Sequence, residues 1–437
     1  MHVVLLNQPF HPDVVATAQM GKDLADELVR RGHTVSAVAS RSIYGQKGGS
    51  LPKRETIDGI EIHRGGTSIF GKAGIAARPA DFALFYVLAA WRVLTLKKPD
   101  VIVGFTTPPF IVGVALAARY LRGAKAVYWV MDLYPDVPVA CGVMKPKGLL
   151  TRVLERFHRA IMKRVHVNVV LGRCMRDRLL EKGVAEDRIR LIPVWAETGG
   201  LNPVDRATNP YREQWNVGDA FCVMYSGNFG LGHDAETITD ACVALKDDER
   251  LQFLFVGGGK RRAGVQEALE AAACERADFH PYVPREDLAQ SLSAGDAHLI
   301  TVKTGLEGLI VPSKLFGIMA VARPALYIGS PESEVARIIT ESGCGICVPE
   351  GDDAALAEAI RTLASDPERA AEMGRKGRAW LESRYDAATA TGMWAELLES
   401  LTRDGTLPTQ DALHAGTGFA TSSSSARQTE PAAEPAA

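Results

Sequence analysis

Cysteine is scarce in this chain, aromatics are few, and no long apolar run goes uninterrupted. The seven cysteines (Cys141, Cys174, Cys222, Cys242, Cys274, Cys344 and Cys347) are scattered and odd in number over 437 residues. That usage excludes a disulfide-stapled framework and fits a reducing compartment. Cys344 and Cys347 form one C-x-x-C, but no second pair and no histidines at ligand spacing follow. A zinc site is therefore not expected, and two cysteines on a buried strand are. The opening MHVVLLNQPF has no basic region and no small-residue cleavage site, so it reads as a first strand rather than a secretion signal. Residues 101–118 are 18 uncharged residues, but Pro108 and Pro109 sit in their middle. A buried strand, a proline turn and a packed helix account for that run better than a membrane span. No P-loop and no G-x-G-x-x-G occur, which argues against ATPases and NAD enzymes. No D-x-D stands at a strand end, so a diphosphate held through Mg²⁺ is not indicated.

What is present is an ordinary globular balance, 46% hydrophobic and 23% charged. The length suits two domains and a tail. The formal net charge is −2, but it is unevenly spread. Residues 1–200 carry 29 Lys+Arg against 17 Asp+Glu, and the remainder carries 21 against 35. A basic half joined to an acidic half suggests that only the first faces an anionic surface or substrate.

Along the chain, short apolar runs alternate with helical periodicity. HVVLLN is followed by a periodic segment at 17–31, by Gly32 as a candidate C′ glycine, and by the run TVSAVAS. Further strand-like runs are expected at 60–63, 101–105, 126–131 and 167–171, with helices at 81–97, 112–121, 148–164 and 173–182. Between 199 and 220 the periodicity stops, and Gly199, Gly200, Pro203, Pro210 and Gly218 mark an interdomain linker. The pattern restarts with strands at 221–225, 251–256, 279–283, 297–301 and 325–328. Helices are expected there at 234–245, 261–274, 285–294, 313–321, 331–342 and 352–364. Residues 366–401 look helical throughout, and 385–403 are placed to run back across the first domain. The stretch 404–437 is rich in Thr, Ser, Ala, Gly and Pro and is expected to be disordered. The expected organisation is thus a first domain over 1–198, a linker over 199–220, a second domain over 221–384, a crossing helix over 385–403 and a tail. Strand–helix alternation of this kind makes doubly wound parallel sheets, whose ligands sit beyond the carboxyl ends of strands.

Three turns of the second domain suit an anion. YSGNFGLGHD (225–234) offers Gly227, Gly230 and Gly232 for close backbone approach. FVGGGKRR (255–262) places Lys260, Arg261 and Arg262 in a first helical turn, where cations oppose the helix dipole unless an anion is bound. LEGLIVPSKLFGIMA (306–320) does the same with Lys314, after Ser313 as a candidate N-cap. Together they point to a diphosphate, neutralised by Lys314 and by Lys260 or an arginine beside it. In the first domain, Asp132 follows an apolar strand in WVMDLYPDVPVACG. It either faces the cleft or caps the turn before Pro135. His11 and His233, near the proposed loops, read as structural or binding residues rather than general bases.

YSGNFGLGHDAETITDA, FLFVGGGKRR, PYVPREDL and GLEGLIVPSKLFGIMAVARPALYIG resemble the donor half of a retaining glycosyltransferase of family 4 (group 1). RRGHTVSAVAS and WVMDLYPDVPVACG agree in the first half. The likeness covers roughly residues 1–400 and leans to the branch that builds surface polysaccharides. It implies an α/β GT-B fold, two Rossmann-like doubly wound domains facing a cleft. It also implies that Gly227 and Asn228 line the diphosphate, that Ser313 and Lys314 hold it, and that Tyr282 and Val283 lie against the base. Glu307 would reach donor hydroxyls or the ribose, Asp132 the acceptor and the reacting sugar, and the turn at 8–18 would close over the donor sugar. Many members carry a second glutamate after E-G-x-G-x-P; here that place falls on Leu315 or, counted from Met319-Ala320, on Gly317. Asn228 and His233 stand where arginine and lysine are common, and Ala322 where glycine is common.

The segment KPKGLLTRVLERFHRAIMKRVH (145–166) holds seven Lys+Arg and one acid, Glu155, with apolar residues at helical spacing. A basic amphipathic helix can lie on anionic lipid, and its basic face can equally be solvated. No nucleic-acid-binding motif accompanies it. The expected function is metal-independent and cofactor-free: transfer of a hexose, N-acetylated or deoxy, from a nucleotide-diphosphate sugar, UDP favoured. The acceptor would be a polyprenyl-diphosphate-linked or other glycan at the cytoplasmic membrane face. A nucleotide-sugar epimerase and a catalytically weak binding subunit share the architecture. An epimerised donor without acceptor would mark the first, and tight binding without turnover the second.

Overall fold

The computed structural model describes residues 1–13, 15–43, 50–66, 78–195, 201–310 and 313–415. The first domain is built on an eight-stranded sheet: β1 (His2–Leu6), β2 (Thr34–Ala39), β3 (Arg54–Ile57), β4 (Ile60–Arg64), β5 (Val101–Gly104), β6 (Lys125–Val130), β7 (Val167–Val170) and β8 (Ile189–Leu191). Their order across the sheet is β3-β4-β2-β1-β5-β6-β7-β8, parallel except for β3. The helices are α1 (Ala16–Arg30), α2 (Arg78–Thr95), α3 (Val112–Arg122), α4 (Asp136–Ala140), α5 (Leu149–Met162) and α6 (Arg173–Glu181). β1, β5 and β7 are buried along their whole length, which is why they read as unbroken apolar runs rather than alternations. Gly32 ends α1 with φ +82°, and the His33 N–H reaches back 3.0 Å to Leu28 O. The strand β3 was not expected. Three of its four residues are polar, and it forms an edge hairpin with β4 through Asp58-Gly59, both at positive φ.

The second domain carries β9 (Phe221–Asn228), β10 (Leu251–Gly258), β11 (Ala277–His280), β12 (Ala297–Val302), β13 (Ala325–Gly329) and β14 (Gly345–Val348). All are parallel, in the order β11-β10-β9-β12-β13-β14. Its helices are α7 (Pro210–Gln214), α8 (Glu236–Ala244), α9 (Arg262–Ala271), α10 (Leu288–Ala294), α11 (Lys314–Ala320), α12 (Glu334–Ser342), α13 (Asp353–Ser365) and α14 (Pro367–Arg384). α15 (Ala387–Arg403) and α16 (Gln410–Ala415) end the described chain.

Three expectations need correction. The segment read as linker at 199–220 contains α7, capped by the Asn209 side chain accepting from Tyr211 N at 2.9 Å. Tyr211, Trp215 and Val217 are buried against Cys222, Met224, Leu254 and Val256 of the second sheet. A five-residue helix with one aromatic, Tyr211, and Trp215 at its C-cap leaves no periodicity to read. The segment 366–401 is two helices, because Asp386 breaks it and caps α15 by accepting from Ala388 N and Thr389 N. α15 packs on α1 in the first domain, with Trp394 4.4 Å from Trp129 and His33 Nε2 2.9 Å from Glu399. Order also extends past 404. The Gln410 side chain pairs with both Leu191 N (2.7 Å) and Leu191 O (2.8 Å), filling the place of a neighbouring strand on the β8 edge. The rest of the expected tail lies outside the described residues. The apolar residues of α5 divide between the core and the surface. Thr151, His158, Ile161 and Met162 are buried, whereas Leu149, Leu150, Val153 and Phe157 are exposed.

Candidate active site

In each sheet the strand order reverses once, between β1 and β5 and between β9 and β12. A ligand crevice opens at the carboxyl ends of strands at such a reversal. At the second reversal β9 ends in Gly227 and Asn228. Gly227 has φ +120°, and a Cβ there would lie 2.8 Å from Lys314 Cε. The lysine thus occupies the space a side chain would need. Lys314 opens α11, and its Nζ donates to the Tyr225 hydroxyl and, at 3.3 Å, to Asn228 O. It also sits 3.8 Å from the Tyr225 ring centroid. Burial pulls its ammonium down to about 7. His233 closes the other side. Its Nδ1 donates to Thr301 O at 2.6 Å, and burial, aided by the Lys314 charge, lowers it to about 4, leaving it neutral at pH 7. Tyr282 lies over the adjoining glycine turn, where Cβ atoms on Gly257 and Gly258 would come within 3.1 and 3.2 Å of its ring. Gly227, Asn228, Lys314 and Tyr282 therefore form one group.

The other expected donor residues fall differently. Lys260 is exposed and makes no hydrogen bond or ion pair among the described residues. Arg261 and Arg262 are occupied within the protein. Arg261 binds Glu236 at 2.7 Å; although burial raises that carboxyl, the Arg261 hydrogen bond and backbone donors hold it at about 2. Arg262 stands over the Phe279 ring. The basic turn is thus largely explained without a ligand. Ser313 does not cap α11: its backbone is already helical and its side chain makes no cap bond. Val283 is half-buried against the cluster around Met224 and Val256.

Asp132 follows β6. It does not cap α4, whose N-cap is Pro135 and receives no side-chain bond. Burial pushes its carboxyl up to about 6. Behind it, Tyr128 Oη and His158 Nε2 are 3.0 Å apart, fully buried, with Phe110 against the imidazole. The Leu133 N–H, next to Asp132, donates across the cleft to Leu309 O at 3.1 Å. Glu307, two residues earlier, accepts at 2.8 Å from Gly305 N, and its backbone carbonyl accepts from Arg178 Nε at 3.1 Å. Arg173 binds Glu334 at 2.9 Å and Glu341 at 2.5 Å. The first-domain strand ends therefore meet the loop carrying Glu307 directly. The turn expected to cover the donor lies at the first reversal, where Gln8 N donates to Thr107 O at 2.8 Å. Sequence reasoning missed Tyr225 and the Arg173 pairs. Tyr225 reads as one more apolar strand residue, and Arg173 finds its partners some 160 residues away.

Two parallel-sheet domains that meet across a cleft are the architecture of the GT-B class of glycosyltransferase folds, and here the second offers a glycine turn and a half-buried lysine. Residues 17–195 match the glycosyl transferase 4-like domain and residues 208–380 the glycosyl transferases of group 1. The chain belongs to the group 1 glycosyltransferases. It is 30% identical over 266 residues to the probable glycosyltransferase WbjE of Pseudomonas aeruginosa, covering 60% of this chain and 66% of that protein. It is 25% identical over 374 residues to the putative colanic acid biosynthesis glycosyl transferase WcaI of Escherichia coli K12, covering 83% and 91%. Among solved structures it is similar to sucrose-phosphate synthase from Thermosynechococcus elongatus (TM-score 0.72, 18% identity, 92% of this chain and 99% of that one). It is also similar to HepE of Anabaena in complex with UDP and glucose (TM-score 0.69, 15% identity, 92% and 100%). At these identities the two structures establish the shared fold.

Proposed function

We propose that this protein is a retaining hexosyltransferase of cell-surface polysaccharide synthesis, using a UDP-linked sugar, N-acetylated or deoxy, and a lipid-linked glycan acceptor. The observation that carries the reading is Lys314, a half-buried ammonium against the Gly227–Asn228 backbone with no carboxylate partner among the described residues. A cation desolvated without a counter-ion is costly, and a diphosphate at the glycine turn would supply the missing charge. The countercharge then comes from the protein, and the reaction needs no metal. Glu307 would hold sugar hydroxyls and Tyr282 would lie against the base. Asp132 would face the acceptor hydroxyl. In same-face attack the leaving phosphate oxygen takes the acceptor proton, so no separate base–nucleophile pair is required. The polysaccharide setting is supported by the name of WcaI, a putative colanic acid biosynthesis glycosyl transferase.

Contact with an anionic membrane belongs to the same reading. Leu149, Leu150, Val153 and Phe157 are exposed on α5 beside Arg152, Arg156 and Arg159, and Val87 and Trp91 are exposed on α2. Among the described residues no helix is long and apolar enough to cross a membrane. The contact would be peripheral, on the cytoplasmic membrane face. The test is thermal stabilisation by UDP, GDP, ADP, CMP and NAD, followed by turnover of the sugar nucleotide chosen. UDP at one hundred times its Kd should stabilise by about 2.7 kcal/mol, and Lys314→Ala should abolish the effect. UDP stabilisation that survives Lys314→Ala would remove the lysine from the site and overturn the reading.

A further inference from the structure

The Tyr225 hydroxyl has two partners. It accepts from Lys314 Nζ and donates to Asn228 O at 3.1 Å. The same carbonyl accepts from Nζ at 3.3 Å, and the ammonium stands 3.8 Å from the Tyr225 ring centroid. The ring itself cannot drift. It is 2% exposed, is packed at 4.2 Å on Phe229 and meets His233 edge-on at 6.1 Å. A lysine side chain has four rotatable bonds and would otherwise be free to leave the turn. Gly227 leaves the aliphatic stem room to pass, since a Cβ there would approach Cε to 2.8 Å.

We propose that Tyr225 is the positioning residue of the donor site: its hydroxyl and ring together fix the Lys314 ammonium over the Gly227–Asn228 backbone where a diphosphate would bind. The proposal rests on the diphosphate reading of Lys314 and adds a residue that reading did not use. The phenol acts through the lysine and touches no substrate. Its oxygen also favours the charged lysine, because an acceptor at an ammonium stabilises the protonated form. The other titratable groups around the site are His233, which is neutral, Tyr282 over the glycine turn, and Lys303 and Arg261, which lie 3.9 and 2.7 Å from Glu236.

The test is Tyr225→Phe, which keeps the ring and removes only the oxygen. UDP affinity is measured from about pH 6 to pH 9 for the wild type, Tyr225→Phe and Lys314→Ala. The ¹³Cε resonance of Lys314 is titrated in the nucleotide-free wild type and Tyr225→Phe. We expect UDP to bind about tenfold more weakly to Tyr225→Phe. The alkaline loss of binding and the Lys314 resonance should both move to lower pH, which general loosening of the fold would not cause. A Lys314 titration in Tyr225→Phe identical to that of the wild type would overturn the proposal, whatever nucleotide does. A shifted titration with UDP affinity unaffected by Lys314→Ala would instead locate the failure in the diphosphate reading, and the positioning role would fall with it.

Discussion

Asp132 carries opposite demands at the residue scale. In the proposed role at an acceptor hydroxyl it is useful ionised, yet burial pushes its carboxyl up to about 6. An unfolded chain ionises an aspartate near pH 4. As pH rises from about 4 to about 6, the unfolded state loses this proton before the folded state does, so the residue's contribution to stability falls through that window. Above about pH 6 the whole cost, about 1–3 kcal/mol, is in force. Asparagine has the same shape and cannot ionise. Asp132→Asn should therefore be more stable than the wild type at pH 7, with the difference shrinking towards zero near pH 4. Turnover should fall by about a hundredfold or more if the carboxylate handles the acceptor hydroxyl. Urea unfolding of both proteins at several pH values, beside a turnover assay at pH 7, checks each part. A variant less stable at pH 7 would mean that the carboxylate holds a structural contact instead.

At the element scale α5 divides its two faces between different tasks. Ile161, Met162 and His158 anchor it to the sheet, and Leu149, Leu150, Val153 and Phe157 face away. Arg152, Arg156 and Arg159 sit among the exposed apolar residues, and lysines 145 and 147 precede them. Only the Arg159 guanidinium has an acidic partner on the helix, Glu155 at 2.6 Å. Each arginine near an anionic surface contributes about 1 kcal/mol. Replacing all three with glutamate should detach the protein from vesicles containing anionic lipid, while leaving UDP binding in solution unchanged. Cosedimentation with anionic and neutral vesicles measures this, and retention on anionic vesicles would move the contact elsewhere. This helix also marks how far the sequence could be read. Its apolar spacing and basic face were plain, but spacing alone cannot say which apolar residues find a sheet to cover. The buried parallel strands were legible because both of their faces are covered. β3 and α7 were not, the one being polar and the other a single turn. The glycine turn and Lys314 stood out by residue type. The role of Tyr225 did not, because a buried tyrosine in an apolar strand looks like packing until its hydroxyl partners are seen. Arg261 misled in the opposite way, since Glu236, 25 residues earlier, satisfies it.

For the whole molecule, the question is what holds the two domains face to face. The proposed donor group of Gly227, Lys314 and Tyr282 lies wholly in the second domain, and Asp132 in the first. Among the described residues, the contacts that join them near the cleft include Leu133 N to Leu309 O, Arg178 to Glu307 O, and Arg173 to Glu334 and Glu341. Two glycines make the approach possible. A Cβ on Gly172 would fall 2.8 Å from the Glu334 side chain, and one on Gly308 2.5 Å from Cys174 O. Of these, the Arg173 pairs carry the most charge, and Glu334 is the more buried partner, at 10% side-chain exposure. Glu334 also accepts from Cys174 N at 3.2 Å. Arg173→Ala would leave that carboxylate in the interface without its cation. Breaking one side of a partly buried pair costs about 1–3 kcal/mol, enough to shift an equilibrium between closed and open domains by tenfold or more. Removing the arginine should therefore raise the radius of gyration measured by solution X-ray scattering and lower turnover. UDP affinity should change little, because no donor residue is touched. High salt should move the wild type in the same direction, though less, since these charges are only partly exposed. If scattering and turnover both match the wild type, the remaining contacts, among them the backbone bond from Leu133 to Leu309 and the packing of α15 on the first domain, suffice to hold the domains together. If UDP affinity falls in step with turnover, the donor site depends on closure, and the first domain contributes to nucleotide binding as well as to the acceptor.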